Sequence, residues 1–336
     1  MSNTRSRSDI VVDKERAREN LGTLYGTYMR DRGLFRYVNR HEHAPQRKYL
    51  SPDVEVGGRS HQCRLFFTVM TDRREVSEQV YASHQQLAEK VPELYTSDAI
   101  SMAPSEIEAL LRKERVGSPG QSAKYWPRCA ETLFGEFGGD PLRLYHESSI
   151  DALLRFKRSR KMDPLPGFGP KILSLLSLFY EELGLMEMPT DAFPVDVHVQ
   201  RFAISTGIIR CTGKVVNEHA EQVLRKLLCE LCLEEGRSAL ELSHAIWFLG
   251  NRLCSGCYRN KAVPVLCPVY DQCDGSISTL TYFKKGFWDF DASRYRKGGE
   301  RCHDRGAGWG RDQRDRGKRS GEKHDLEGHS WPGAAM

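Results

Sequence analysis

Behind Pro170 and Lys171 the chain becomes an almost unbroken apolar helix, "PKILSLLSLFYEE", whose leucines belong to a core. Helical spacing of apolar positions also runs through residues 13–30, "DKERARENLGTLYGTYMR", and predicts an amphipathic helix weakened by its glycines. The stretch that follows, residues 38–58, reads as a loop. From "HQCRLFFTVMTD" to Tyr180 the pattern is a succession of helical segments broken by Pro, Gly, Ser and Asp. Helix starts are expected at Ser105, with Glu108 three residues on, at Ser122 and at Ser149. No alternation of period two persists through this region, so the predicted fold class is all-α. Residues 275–296 read as a short strand or a packed strap. From about residue 297 the chain is rich in Gly, Arg and Asp and cannot bury enough apolar surface to offset its ordering entropy, which predicts disorder.

With 336 residues and 39% hydrophobic content, the chain has room for one large domain or two modest ones. A net charge of +5 permits a polyanionic partner without demanding one. The N-terminal residues lack the apolar region of a secretory signal, and no stretch approaches the length of an uncharged membrane span. The expectation is a soluble intracellular monomer with no membrane partner, cytoplasmic and nucleoid-associated, or nuclear in a eukaryote. Of 10 cysteines, four fall between Cys254 and Cys273, a clustering that favours a metal site over disulfides.

The candidate chemistry begins at "LPGFGPK". Gly167 and Gly169 allow positive φ and close approach of the backbone to a ligand, and Pro170 sits where a first-turn proline is tolerated. Successive amides at a helix N-terminus make a cradle for a phosphate oxygen, so Gly167, Phe168 and Gly169 are candidate DNA-backbone contacts. A plain loop between core helices is the bland alternative. Downstream, in "FPVDVHVQRF", Asp196 follows an apolar step and precedes a helical segment, which predicts a half-buried carboxylate capping that helix.

Together, "LPGFGPK" and "VDVHVQR" resemble the helix-hairpin-helix, Gly/Pro, Asp motif of the DNA glycosylase superfamily, and the lysine resembles its endonuclease III-like branch. The likeness runs from about Leu65 to Cys273. It implies two helical lobes flanking a DNA-binding cleft: a helical barrel with the hairpin, residues 58–188, and a cluster domain, residues 189–275. An N-terminal arm, residues 1–57, would pack on the cluster domain, and residues 276–336 would form an extension. It further implies a glycosylase and AP lyase acting on duplex DNA that contains a damaged or modified base. Lys171 would be the Schiff-base nucleophile and Asp196 the group that stabilises oxocarbenium-like charge. A monofunctional glycosylase using water and a non-catalytic DNA binder are the alternatives. Three departures stand out: a longer interval from Lys171 to Asp196, Val69 where the branch carries a wedging glutamine, and a basic insertion, "KRSRKMDP", read as a solvated face with a phosphate-contacting strap as the alternative.

Cys254, Cys257, Cys267 and Cys273 are spaced C-x2-C-x9-C-x5-C. Four thiolates suit either zinc or a [4Fe–4S] cube. The resemblance favours the [4Fe–4S] cluster, since the last interval and the preceding "HAIWFLGNRLC" match the family's cluster loop while the first two intervals differ. Arg259 and Lys261, between the second and third cysteines, are candidate phosphate contacts. Cys63, Cys129, Cys211, Cys229 and Cys232 read as core residues, and His198 and His244 as packing or hydrogen-bonding residues.

Overall fold

The computed structural model describes residues 9–37, 45–51, 54–72, 77–146, 149–254, 263–273 and 287–290. The chain divides into two units, Met1–Ser293 and Arg294–Met336. The second, with the tail expected to be disordered, lies outside the described residues. The helices are α1 Lys14–Met29, α2 Pro45–Lys48, α3 Arg59–Thr71, α4 Ser77–Lys90, α5 Pro104–Lys113, α6 Pro119–Ala130, α7 Ile150–Ser159, α8 Pro170–Glu182, α9 Val197–Ser205, α10 Asn217–Glu234, α11 Ala239–Phe248 and α12 Val263–Leu266. The π-helical turns Glu131–Glu136 and Leu249–Leu253 extend α6 and α11. No helix among the described residues is long and apolar enough to cross a membrane.

The fold is predominantly helical, as expected. It also carries a small antiparallel sheet, β1 Asp9–Val12, β2 Ile209–Val216 and β3 Phe287–Phe290, in that order; β3 falls in the stretch expected as a short strand or strap, while β1 and β2 were not expected. Ile10 stands opposite Cys211 and Val215 opposite Trp288. Its strands come from distant parts of the chain, so no hairpin turn announces the pairing.

Two hydrophobic cores form. The first gathers buried side chains from Cys63 to Ala192. The second joins Ala17–Phe35 to Phe193–Val269, so α1 packs with the C-terminal helices. Buried Asn20 anchors this union by donating its Nδ2 to Thr206 O at 3.3 Å, and Lys14 and Arg18 both pair with Glu234 at 2.7 Å. Helix starts follow local chemistry, though two differ from expectation. Ser149 caps α7 by accepting from Ala152 N at 3.0 Å. Helices α5 and α6 begin earlier than Ser105 and Ser122, at Pro104 and Pro119, because a proline whose missing N–H costs nothing at the first position sets the start.

In the first core Trp126 lies parallel to Phe67 at 4.7 Å and to His84 at 5.9 Å, and donates Nε1 to Leu94 O at 2.7 Å. His84 is fully buried, its ring nitrogens 2.8 Å from Thr71 Oγ1 and Tyr95 Oη. Burial, helped by Arg64, lowers its pKa to about 3, and burial lowers His61 to about 4. Folding therefore favours the neutral imidazoles. Their contribution is complete above the unfolded value of about 6.5 and is lost as pH falls toward 3. Urea unfolding is expected to show stability falling by a few kcal/mol between pH 6.5 and 4, with a shallower slope in His84→Gln.

Candidate active site

The hairpin between α7 and α8 is held from behind. Pro164 O accepts from Thr132 Oγ1 at 2.6 Å, Leu165 O from Lys157 Nζ at 2.7 Å, and Pro166 O from Cys129 Sγ at 3.4 Å. Phe168 O also accepts from Lys157 Nζ. Gly167, at φ 96°, makes the turn in a region that L side chains rarely adopt. Phe168 is fully buried and stacks on Phe66 at 4.6 Å, so its side chain is withdrawn from any ligand. Lys157 thus leaves the solvated face that the sequence reading assigned to "KRSRKMDP". It is a structural clamp, its side chain 11% exposed, while Arg160 pairs with Glu136 at 2.8 Å.

Several amides of the expected cradle are already engaged. Phe168 N donates to Leu165 O at 3.1 Å, and Gly169 N to Gly167 O at 3.2 Å across a bent three-residue turn. Lys171 N donates to Glu221 Oε1 at 2.9 Å. One helical turn further along α10, Arg225 donates to Asp191 O at 2.9 Å and Asp151 Oδ1 at 2.6 Å. Asp191 in turn accepts from the first two amides of α7 at 2.9 Å each. Glu221 and Arg225 therefore tie a helix of the second core to the N-termini of both hairpin helices. Glu221 places negative charge where the α8 dipole favours it.

Where the two cores meet, a cavity of about 740 Å³, its open mouth included, is lined by both Lys171 and Asp196. Lys171 is half-buried, and its Nζ donates to Asp72 O at 3.4 Å. Asp196, also half-buried, caps α9: its Oδ1 accepts from His198 N at 2.8 Å and Val199 N at 2.9 Å. Oδ2 has no partner among the described residues. Burial lowers the His198 imidazole pKa, opposed by Asp196 and reinforced by Arg201 and Lys171. His198 packs so closely on Gly250 that any side chain there would strike its ring.

The sequence reading missed most of the cavity wall. Leu175, Leu178 and Phe179 continue the Lys171 face of α8, and Ser243, His244, Trp247 and Phe248 come from α11. Tyr81, Gln46, Asp72, Pro194 and Val199 complete it. Behind two of the lining residues, Glu182 accepts from Gln46 and lies 3.8 Å from His244 Nε2. Burial pushes the Glu182 carboxyl up to about 7, against Gln46 and Arg47, which lower it. No single motif carries these residues. Only the i, i+4 spacing of Ser243 with Trp247 and of Lys171 with Leu175 hints at shared faces.

Cys254 closes the π-helical turn at the end of α11, Cys267 follows α12, and Cys273 lies just beyond; all three are half-exposed. This sets them apart from Cys63, Cys129, Cys229 and Cys232, which are buried as expected of core thiols. Burial raises Cys229 to about 12 and Cys232 to about 11. Cys257, Arg259 and Lys261 lie outside the described residues, as does the side chain of Cys211. Among the described residues no three potential ligands converge on one point. The partly exposed donor set is chemically suited to a soft metal. Compared with known families and curated proteins, the chain matches no family model and no curated protein.

Proposed function

We propose that the protein is a DNA glycosylase with AP lyase activity that removes a damaged or modified base from duplex DNA. The observation that carries this reading is that Lys171 and Asp196, distant in sequence, line one cavity between two helical cores. In this reading the cores are lobes flanking a DNA-binding cleft. The target nucleotide is flipped out of the stack to enter the cavity. The unprotonated Lys171 Nζ attacks the sugar C1′ as the bond from C1′ to the base nitrogen breaks, and the base leaves with the bonding electrons and takes up a proton. Loss of the amine proton and opening of the sugar give a Schiff base. β-Elimination then removes the proton at C2′ and breaks the C3′–O bond. Asp196, held by two amides with Oδ2 left over, stabilises the positive charge developing on the sugar and assists proton transfer.

The three half-exposed cysteines, with Cys257, would hold the [4Fe–4S] cluster, with zinc as the alternative occupant. The cluster's part here is structural: it would brace the segment after α11, and no step of the reaction passes through it.

The test is an incision and base-release panel on duplexes with defined lesions, together with borohydride reduction on abasic DNA. Release with a trapped adduct supports the bifunctional reading. Release without an adduct supports a monofunctional enzyme, and binding without release supports a non-catalytic DNA binder. A glycine pair refines the DNA-facing role of the hairpin. Gly167→Ala should cost about 1–2 kcal/mol of stability because its backbone is left-handed. At Gly169 φ is −82° and an added methyl meets nothing within 4 Å, so Gly169→Ala should fold with a loss below about 1 kcal/mol. If the Gly169 backbone approaches a phosphate, that variant nevertheless binds duplex DNA several-fold more weakly in fluorescence anisotropy.

A further inference from the structure

The cavity is deeper than a nucleobase requires. Its wall follows one face of α8 through Lys171, Leu175, Leu178 and Phe179. Lys171 and Phe179, the lining residues of α8 that lie furthest apart, are separated by just over two turns, about 12 Å along the helix axis. With Lys171 Nζ at the sugar C1′, an ordinary base spans only part of that length. The near part is apolar and aromatic, with Phe179, Trp247 and Phe248 available to flank a ring.

The far part changes character. Among the described residues Tyr81 Oη and Ser243 Oγ are buried with no hydrogen-bond partner, and their residues are 4% and 5% exposed. Both residues line the cavity, and a buried hydroxyl left without a protein partner is a group that a polar occupant can satisfy once the side chain turns toward it. Tyr81 packs edge-on against Phe179 at 5.9 Å. Gln46 and His244 line the same end, and Glu182 lies against both. The two hydroxyls and the amide can each donate and accept, which suits an uncharged hydroxylated group better than an anion or a cation.

Resting on the glycosylase reading above, we infer that this inner chamber receives a substituent carried on the excised base. The substrate class is then a base enlarged by an extended, uncharged, hydroxyl-bearing group, such as a sugar-linked hydroxymethyl pyrimidine. The apolar neck holds the ring, and Tyr81, Ser243 and Gln46 hydrogen-bond the substituent. A site built to bond hydroxyls discriminates strongly against a base that leaves its polar groups unpaired.

The test uses the full-length protein and four duplexes: one with an abasic site, one with a small oxidised pyrimidine, one with glucosylated 5-hydroxymethylcytosine, and one whose pyrimidine carries an apolar group of similar size. The expected result is release of the glucosylated base at least tenfold faster than either other base. Tyr81→Phe is expected to reduce this preference on the order of tenfold, the worth of one hydrogen bond. Ser243→Ala, on another helix, repeats the measurement should the first variant fold poorly. If the abasic duplex is trapped by borohydride but the glucosylated base is released no faster than the small lesion, the substrate inference is overturned and the lyase reading stands. A preference for the apolar substituent, or one unchanged in both variants, also overturns it. Failure to trap the abasic duplex and to release any base removes both readings.

Discussion

Lys171→Gln is expected to abolish the covalent adduct that borohydride fixes between the protein and abasic duplex DNA, and to lower strand cleavage at least about a hundredfold. Glutamine keeps a polar chain of similar length but has no amine that can form a Schiff base. The substitution is structurally mild. The only side-chain hydrogen bond of Lys171 among the described residues is the 3.4 Å contact from Nζ to Asp72 O. Its other tie, to Glu221, is made by the backbone N–H and survives the change. A thermal melt within a few degrees of the wild type would separate lost chemistry from lost fold. An adduct that persists in the variant would assign the nucleophile to another amine. Base release that persists without the adduct would move the nucleophile's role to water, with Lys171 reduced to a phosphate contact.

How much of this site could be read from the chain depends on how local each signal is. The Asp196 cap, the Ser149 cap and the Gly167 turn are written within a few residues of where they act, and the structure places them there. The starts of α5 and α6 were misplaced for an equally local reason, since the reading weighed serine caps and neglected prolines that occupy the first helical position. Apart from the short strand or strap expected over residues 275–296, which contain β3, the sheet was invisible for the opposite reason. Asp9 pairs with Thr212, and Val216 pairs with Phe287, across separations that no local pattern encodes. The inner cavity wall has the same difficulty: Gln46, Tyr81 and His244 come from three helices, and their meeting is a property of packing. Lys157 looked like one more basic residue in a polar run until the hairpin's carbonyls turned toward it. A hairpin motif therefore announces where a ligand backbone can lie, whereas the pocket that decides which base is taken is assembled from distant segments.

Asp196→Asn is expected to leave folding almost intact and to slow base release by about 10²–10⁴-fold, the range a positioned acid–base group supplies. The argument rests on the two jobs of one side chain. As a cap, Asp196 Oδ1 accepts from His198 N at 2.8 Å and Val199 N at 2.9 Å. Asparagine caps about as well as aspartate, so the stability change should stay below about 1 kcal/mol. As a charge, the carboxylate stabilises the sugar cation in the cavity, and the neutral amide cannot. The loss should therefore be greater for base release than for cleavage of abasic DNA, where no bond to a base remains to be broken. Asp196→Ala would lose both roles and add about 1 kcal/mol of destabilisation from the missing cap. Comparing the two variants by urea unfolding and single-turnover release isolates the electrostatic part. Release by Asp196→Asn at the wild-type rate would leave Asp196 as a helix cap alone and would place the stabilising charge elsewhere along the cavity.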